Sequence, residues 1–321
     1  MPQGCVIGID VGGTKALSGV VGPGGEVVHR TVRRWPERPS TDDVLAALIG
    51  AVREAEEAVR RPAEAVGVGI PALVDHRTGR AGATMHLPLG GVPVADLLSE
   101  RLGVPVVVDN DATCATVAEH RAGAARGART AVLLTVGTGI GGGIVTGGEI
   151  MRGASGAAGE WGHMTIAHDG GACSGDCPGR GCWETFVSGT ALGRRVREVA
   201  SVDPGGSLAR AAADGRELAA PLAVELAHDG DPVARALMTE QGELLGAGLV
   251  SIVNSLNPEV VVVGGGVMAA GELLLEPARR IVAQRALAPS RDQVRIVATH
   301  FGDASGMVGA AIIAYDRLEA R

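Results

Sequence analysis

The apolar positions along this chain fall into short runs punctuated by glycine, and the runs change between a period of two and a helical period. The first run, CVIGID at 5–10, reads as a strand ending on Asp10. After a Gly-Gly turn, KALSGVV is a second strand, and beyond the GPGG turn at 22–25, EVVHRTVRR is a third. Ser40 and Asp42 begin a helix that continues through DVLAALIGAVREAEEAVRR, apolar at helical spacing and stopped at Pro62. AVGVGIPALVD at 65–75 is a buried strand running into a loop. VADLLSERLG is a short helix with Gly103 as its C-cap. VPVVVDND is another buried strand, and ATCATVAEHRAGAA the helix after it. This is the pattern of an α/β domain in which a hairpin sheet carries helices.

The opening pattern then recurs. AVLLTVGTGIGGGIVTGG at 131–148 is again apolar strand, glycine turn, apolar strand. Asp10 falls opposite Thr135, and Gly12, Gly13 and Thr14 opposite Gly137, Thr138 and Gly139. Two related domains are expected, each presenting a glycine turn. Two such turns facing one another would hold a polyphosphate through backbone N–H groups. A third glycine run, Gly264, Gly265 and Gly266, sits in NPEVVVVGGGVMAAGELLLEPARRIV, which reads as strand, glycines, helix. A helix N-terminus beside glycines suits an anion or nucleotide. SGMVGAAIIAYDRLEA is a closing amphipathic helix.

Composition narrows the class. Hydrophobic residues make up 46 % but aromatic ones only 2 %, so the core must be aliphatic. The net charge of −7 and the lack of a basic cluster with interleaved aromatics argue against nucleic-acid or membrane-surface binding. No apolar run approaches the roughly 20 residues that span a bilayer, and no signal-peptide pattern opens the chain. A cytoplasmic protein is expected. Lys15 is the only lysine; the rest of the 29 basic side chains are arginine. An ammonium there, just past the first glycine turn, suits a compact point charge beside a phosphate.

Several constellations carry chemistry. Taken alone, DVGGT could be a hairpin needing glycine at positive φ; with the later glycine runs it reads as half of a nucleotide site. Asp10 at the strand end near phosphates implies Mg²⁺, with waters retained. In VDNDA, Asp109, Asn110 and Asp111 stand where a strand gives way to a helix. N-capping would account for at least one of them, and a general base for phosphoryl transfer for another. GEWGH and CWE supply Glu160, His163 and Glu184, side chains of the kind that bind a polyhydroxylated ligand. In HMTIAHDGGACSGDCPGRGCWE, Cys173, Cys177 and Cys182 with His163 would complete a closed tetrahedral Zn²⁺ site, His168 being a rival fourth ligand. Cys5 and Cys114 lie on apolar elements and are expected in the core.

Taken together, DVGGTK, VGVGIPALVD, DNDA…AE, LTVGTGIGGGIV, GAAGEWGH, GCWETFVSG and VVVVGGGV, in this order, resemble the ROK family of sugar kinases in the actin/hexokinase-like ATPase superfamily. The resemblance implies two RNase H-like domains around a cleft where ATP and sugar meet. The smaller would comprise residues 1–109 plus 303–321 and the larger 110–302. It makes Asp111 the catalytic base, with Asn110, Glu160, His163 and Glu184 binding sugar hydroxyls. Asp10, Gly12, Gly13, Thr14 and Lys15 match the first phosphate motif, and Gly137, Thr138 and Gly139 the second. It also implies Mg²⁺-ATP, a structural Zn²⁺ that braces the sugar loop, and a homodimer or homotetramer.

Three departures stand out. The family's cysteine motif reads C-x-C-G-x-x-G-C; here Gly175 holds the expected first position and Cys173 lies two residues upstream. Thr113 and His86 stand where asparagine is expected, and both bear on sugar preference. The expected activity is phosphorylation of a hexose 6-hydroxyl, glucose first. Alternatives are an N-acetylmannosamine or N-acetylglucosamine kinase, a mannokinase, polyphosphate as donor, or a non-catalytic sugar sensor. Repressor members of the family carry a helix-turn-helix domain before the first phosphate motif; with nine residues ahead of Asp10, that form is not expected.

Overall fold

The computed structural model describes residues 4–76, 78–84, 87–175 and 177–320. His86 lies outside them. The chain divides into two units: residues 1–128, 143–159 and 299–321 form unit 1, and 129–142 with 160–298 form unit 2.

Unit 1 is built on a sheet of β1 (Cys5–Val11), β2 (Lys15–Val21), β3 (Val27–Arg34), β4 (Ala63–Ile70) and a strand over Val106–Asn110. Between the last two lie the small pair β5 (Ala72–Asp75) and β6 (Arg80–Thr84), which makes the final strand β7. The order is β3-β2-β1-β4-β7; the hairpin strands β1 to β3 run antiparallel and β1, β4 and β7 parallel. The strand expected within 65–75 ends at Ile70, before Pro71, whose missing N–H cannot continue a ladder, and the segment expected as loop holds the short β5. The second sheet holds β8 (Ala131–Val136), β9 (Ile140–Thr146), β10 (Glu149–Ile150), β11 (Val260–Gly264) and β12 (Arg295–Ala298), in the order β10-β9-β8-β11-β12. Here too β8, β11 and β12 run parallel. The two sheets therefore repeat one topology, with a three-residue loop at 12–14 and again at 137–139.

The helices of unit 1 are α1 (Thr41–Val59), α2 (Val94–Leu102) and α3 (Asp111–Arg121), with the last helix of the chain over Ser305–Glu319. Ser40 caps α1 in a reciprocal box with Asp43, and Gly103 ends α2 in the left-handed conformation its sequence position predicts. Unit 2 holds the short α4 (Glu184–Val187), then α5 (Gly189–Val202), α6 (Ser207–Ala213), α7 (Ala220–His228), α8 (Pro232–Leu256), α9 (Glu272–Arg285) and α10 (Ser290–Gln293), so the closing helix is α11. The core of unit 2 packs Val132, Leu134, Val261 and Val263 of the sheet against Leu245 and Leu249 of α8 and Leu274 of α9, with Trp183 fully buried among them. Nearly all of this core is aliphatic, as the composition requires.

α11 belongs to unit 1, where it sits directly on the sheet. A Cβ on Gly8 or Gly67 would overlap the backbone carbonyl of Met307 or Ala310, and one on Gly309 would overlap that of Cys114 in α3. This backbone-to-backbone contact draws α3 into unit 1. The pair of α3 and α11, and the Asp109–Arg152 ion pair described below, thus group residues 110–128 and 143–159 with the first domain, where the sequence boundary at 109/110 had placed them in the second. Gly67→Ala should unfold at clearly lower urea concentration, with a loss of about 3 kcal/mol or more, because the obstructing atom is a backbone oxygen that has no rotamer to move.

Candidate functional site

In unit 1 the sheet register aligns the chemistry at the carboxyl ends of the parallel strands, where open α/β sheets place their ligands. Asp10 of β1 pairs with Gly69 of β4, and Gly69 with Asp109 of β7. Asp10 and Asp109 therefore share one row, two strands or roughly 10 Å apart. α3 begins directly after β7, and a Cβ on Gly69 would lie 3.3 Å from the Asp111 Cα.

The three polar residues of VDNDA are sorted by their partners. Asp109 is buried, and its Oδ2 accepts from Nη2 and Nε of Arg152 at 2.7 and 3.1 Å. Asn110 is the N-cap of α3: its Oδ1 accepts from the Thr113 N–H at 2.9 Å. Its Nδ2 donates to the Ala72 carbonyl at 3.2 Å and to Asp111 Oδ1 at 3.0 Å. The Ala112 N–H also donates to Asp111 Oδ1, at 2.8 Å. Asp109 is thus an ion-pair partner, Asn110 a cap, and Asp111 a carboxylate held in one orientation at the helix start. Thr113 is buried.

Asp10 lies against the first turn of α11, where a Cβ on Gly306 would come within 2.6 Å of its carboxyl carbon. Burial and then the Asp111 charge push its pKa up to about 7; Asp303 adds to the rise and Lys15 opposes it. Lys15 is exposed at the head of β2, and its carbonyl accepts from the Gly12 N–H at 2.8 Å. The Trp35 indole donates to the Gly13 carbonyl at 3.0 Å and pins the 12–14 loop. A divalent cation with retained waters fits such a crowded set of carboxylates, which is costly when all are charged and uncompensated.

In unit 2 the second glycine turn borders a cavity of about 810 Å³. Gly137 and Thr138 line it together with Gly189, Thr190 and Gly266. Gly12, Gly137 and Gly139 all have ordinary negative-side or extended backbone, so positive φ is not what selects glycine there. A Cβ on Gly137 or Gly266 would meet no protein atom within 4 Å. At these two positions the bare backbone opens onto the cavity. Gly265 has a different reason: its φ is +90°, and a Cβ there would overlap the Val136 backbone. Nor does a helix start directly at this third run, since a 3₁₀ turn over Gly266–Ala270 intervenes before α9. Helix N-termini that do reach the cavity are those of α7, through Ala219, Ala220 and Pro221, and of α5, capped by Ser188. The Gly189 N–H donates to the Gly137 carbonyl at 2.7 Å, and Thr190 Oγ1 to the Thr138 carbonyl at 2.8 Å. Sequence reasoning missed this terminus, although the S-G-T of GCWETFVSGT is a capping signal.

Glu160, His163 and Glu184 also come together in unit 2. Glu184 is buried; its Oε2 accepts from the Ile140 N–H at 3.3 Å, directly after the glycine turn. Its Oε1 accepts from Ser174 Oγ and Cys173 Sγ, each at 3.2 Å. His163 presents Nδ1 to Cys173 Sγ at 3.6 Å and Nε2 toward Glu160 Oε2 at 3.9 Å. Cys177 and Cys182 Sγ are 4.0 Å apart.

The ROK family model matches residues 6–317. The chain belongs to the ROK family. A glucokinase from Streptomyces coelicolor is 33 % identical, over 97 % of this chain and 98 % of the relative. A putative xylose repressor from Caldicellulosiruptor is 31 % identical, over 98 % of this chain and 79 % of the relative. Among solved structures, a ROK family glucokinase from Streptomyces griseus in complex with glucose and AMPPNP superposes with a TM-score of 0.88 at 34 % identity, over 98 % of this chain and 100 % of that one. The repeated sheet order is that of the actin-like ATPase fold of ROK structures.

The ROK cysteine motif closes here in spite of its shifted first residue. Among the described residues, His163, Cys173, Cys177 and Cys182 form the group able to hold a metal, their ligand atoms all within 4.8 Å of one another; His168 is outside it. Around a tetrahedral Zn²⁺, two sulfurs would stand about 3.8 Å apart and a sulfur and nitrogen about 3.6 Å. The 3.6 and 4.0 Å separations fit that set. The Cys173 N–H donates to the Gly179 carbonyl at 2.9 Å, and a bridge pairs Ala172 with Arg180, so a small hairpin returns Cys173 to the cluster. Burial raises the Cys173 and Cys182 thiols, which a cation would reverse. Cys5 and Cys114 are buried, as their strand and helix positions imply; Cys5 packs in the unit 1 core, whereas Cys114 lies near the carboxylates of Asp10, Asp109 and Asp111. No helix among the described residues is long and apolar enough to cross a membrane.

Two outcomes are expected. Freshly purified protein should carry about one zinc per chain, and Cys173→Ser and Cys177→Ser should lose it alike, with a lower thermal midpoint; zinc retained in Cys173→Ser alone would remove that residue from the site. The second concerns Asp10, whose folded pKa of about 7 exceeds its unfolded value of 3.8. Between those values the native state holds the extra proton, so this residue's contribution to stability is fully present below the lower value and is lost as pH rises through 7. Asp10→Asn should therefore flatten the fall in stability between pH 5 and pH 8, a difference that urea titrations at the two pH values would measure.

Proposed function

We propose that the protein transfers the γ-phosphoryl group of ATP to the 6-hydroxyl of a hexose, with glucose the preferred acceptor. The observation that carries this reading is the sorting of Asp109, Asn110 and Asp111. Two of the three are committed to an ion pair and a cap, and the third is a carboxylate oriented at the start of a helix, beside the Asp10 row. Such a carboxylate suits a general base. In the proposed step Asp111 takes the hydroxyl proton as the sugar oxygen bonds to the γ-phosphorus. The bond from phosphorus to the β,γ-bridging oxygen breaks, and ADP leaves. Mg²⁺ held near Asp10 would neutralise charge developing on the phosphates.

Other roles follow from unit 2. The bare backbone of Gly137 and Gly266 and the start of α5 suit the phosphates and nucleoside of ATP, in a cavity of suitable size. Thr14 and Lys15 with Gly12 and Gly13 would bind phosphate oxygens. Glu160, His163 and Glu184 would bind sugar hydroxyls. His163 would do so through Nε2, its Nδ1 being turned to the cysteines; Zn²⁺ there acts as a brace for the loop. Asn110 would act on the sugar side chiefly by orienting Asp111, since both its amide protons are already donated. Whole-length similarity to glucokinases, one of them solved with glucose and AMPPNP, supports glucose as acceptor.

The test is ADP release across glucose, mannose, N-acetylglucosamine and N-acetylmannosamine, with ATP and polyphosphate compared as donors. Glucose with ATP should give the highest kcat/KM. Asp111→Asn should lower kcat by about 10² to 10⁴-fold, the usual worth of a general base, while calorimetry shows glucose still bound. Sugar binding without ADP release in the unaltered protein would overturn the kinase reading in favour of a sensor.

A further inference from the structure

Among the described residues Glu119 is the most completely buried acid, with no exposed surface, and the reaction has no use for it. It lies in the last full turn of α3, eight residues after Asp111, or about 12 Å along the helix axis. Its carboxylate is filled by donors. Oε1 accepts from the Phe301 N–H at 3.0 Å and from Ser305 Oγ at 2.9 Å. Oε2 accepts from the His300 N–H at 2.9 Å and the Ala124 N–H at 2.9 Å. Four donors saturate an ionised carboxylate. A Cβ on Gly123 would overlap Oε2, so the turn after α3 is shaped around this group.

What these bonds join is specific. Three of the four donors, His300, Phe301 and Ser305, belong to the segment that leads into α11, and Ser305 is the first residue of that helix. The next residue, Gly306, backs the Asp10 carboxyl. One end of α3 thus carries Asp111, and the other end clamps the start of the helix on which Asp10 rests. All of these residues lie within unit 1.

We propose that Glu119 is a positioning residue that sets the placement of the first turn of α11, and with it of Asp10, relative to Asp111. Its effect on catalysis rests on the kinase reading above; its effect on α11 does not. The buried negative charge does this better than a neutral group. An amide would turn two protons toward backbone N–H donors and leave them unpaired.

The experiment compares the unaltered protein with Glu119→Gln and Ser305→Ala, the second removing one donor of four and serving if the first does not fold. Amide exchange followed by NMR should be about tenfold faster at His300 and Phe301, and also at Gly306 and Met307 in the first turn of α11, as loss of a hydrogen bond implies. Acceleration confined to His300 and Phe301 would make Glu119 a local brace and overturn the proposal. If the protein is a kinase, kcat should fall by about 100-fold, as a misplacement near 1 Å costs, with the sugar KM little changed. The Mg²⁺ concentration giving half-maximal rate should also rise. A variant that is merely less folded would lower kcat at an unchanged Mg²⁺ midpoint, and that result would likewise overturn it. Should no sugar be phosphorylated by the unaltered protein, the kinase reading fails and the exchange pattern alone decides the role of Glu119.

Discussion

The seating of α11 on bare backbone is the contact on which the rest of unit 1 depends. Side chains normally keep a helix about 10 Å from the sheet it covers. Here Gly8 and Gly67 remove them from the sheet and Gly309 removes one from the helix, so carbonyl oxygens of α11 and α3 occupy space that Cβ atoms would fill. Such an approach has little tolerance for displacement, because a backbone cannot repack as a side chain can. The first turn of α11 consequently lies close under β1, and Gly306 can back the Asp10 carboxyl. The chemistry at the strand ends inherits its precision from this contact, three turns or fewer away along the same helix.

The same contact explains how acids that are close in sequence take different parts. Asp109 faces Arg152 and is neutralised; Asn110 closes the helix start; Asp111 is left oriented by two donors on one oxygen. Asp10, one strand pair away, is crowded enough to retain its proton to about pH 7. A row of carboxylates at the ends of parallel strands is electrostatically costly unless some are paired, some protonated or a cation is present. The structure uses Arg152 for the first of these, and the crowding that raises the Asp10 pKa is what a cation there would relieve.

Much of this was legible in the chain. Strands and turns of unit 1 follow from apolar runs and glycine punctuation, and the repeat at 131–148 forecast a second sheet that proves to have the same strand order. Capping of α3 by the VDNDA segment was anticipated, though not which residue would cap, because Asp and Asn serve equally as sequence signals. The end of β4 before Pro71 was readable from proline's missing N–H, whereas the short β5 beyond it fell in a segment expected as loop. That residues 110–128 group with unit 1 was not readable, since α3 packs on α11 through residues nearly 200 positions apart. The hairpin alternative for DVGGT invoked positive φ; Gly12 instead faces a close carbonyl, and at the second turn Gly137 borders open space, which a one-dimensional pattern does not contain. Long stretches of unit 2, α6 to α8 above all, had gone without a reading, and these helices supply a large share of that unit's buried core.

Duplication also sharpens the meaning of the single lysine. The two three-residue loops occupy equivalent places in equivalent sheets, yet their side chains have diverged. The first retains Asp10 before the loop and Lys15 after it, so it carries a charge of each sign and can meet both a cation and a phosphate. The second has Thr135 and Ile140 in those places, and it borders a cavity with uncharged backbone and the start of α5. One copy of the hairpin has kept charge and the other bare backbone, and the two kinds of anion recognition are not interchangeable. A point charge acts on whatever phosphate comes near, whereas fixed backbone donors demand a fixed geometry. Lys15 has moreover a measurable neighbour in Asp10, whose raised pKa it opposes. Replacing that compact ammonium by a guanidinium would spread the charge over a planar fork at the head of β2, where Arg34 already stands in register on β3. A second such fork would keep the same net charge but spread it away from Asp10, which gives a physical reason for lysine at this one position in an arginine-rich chain.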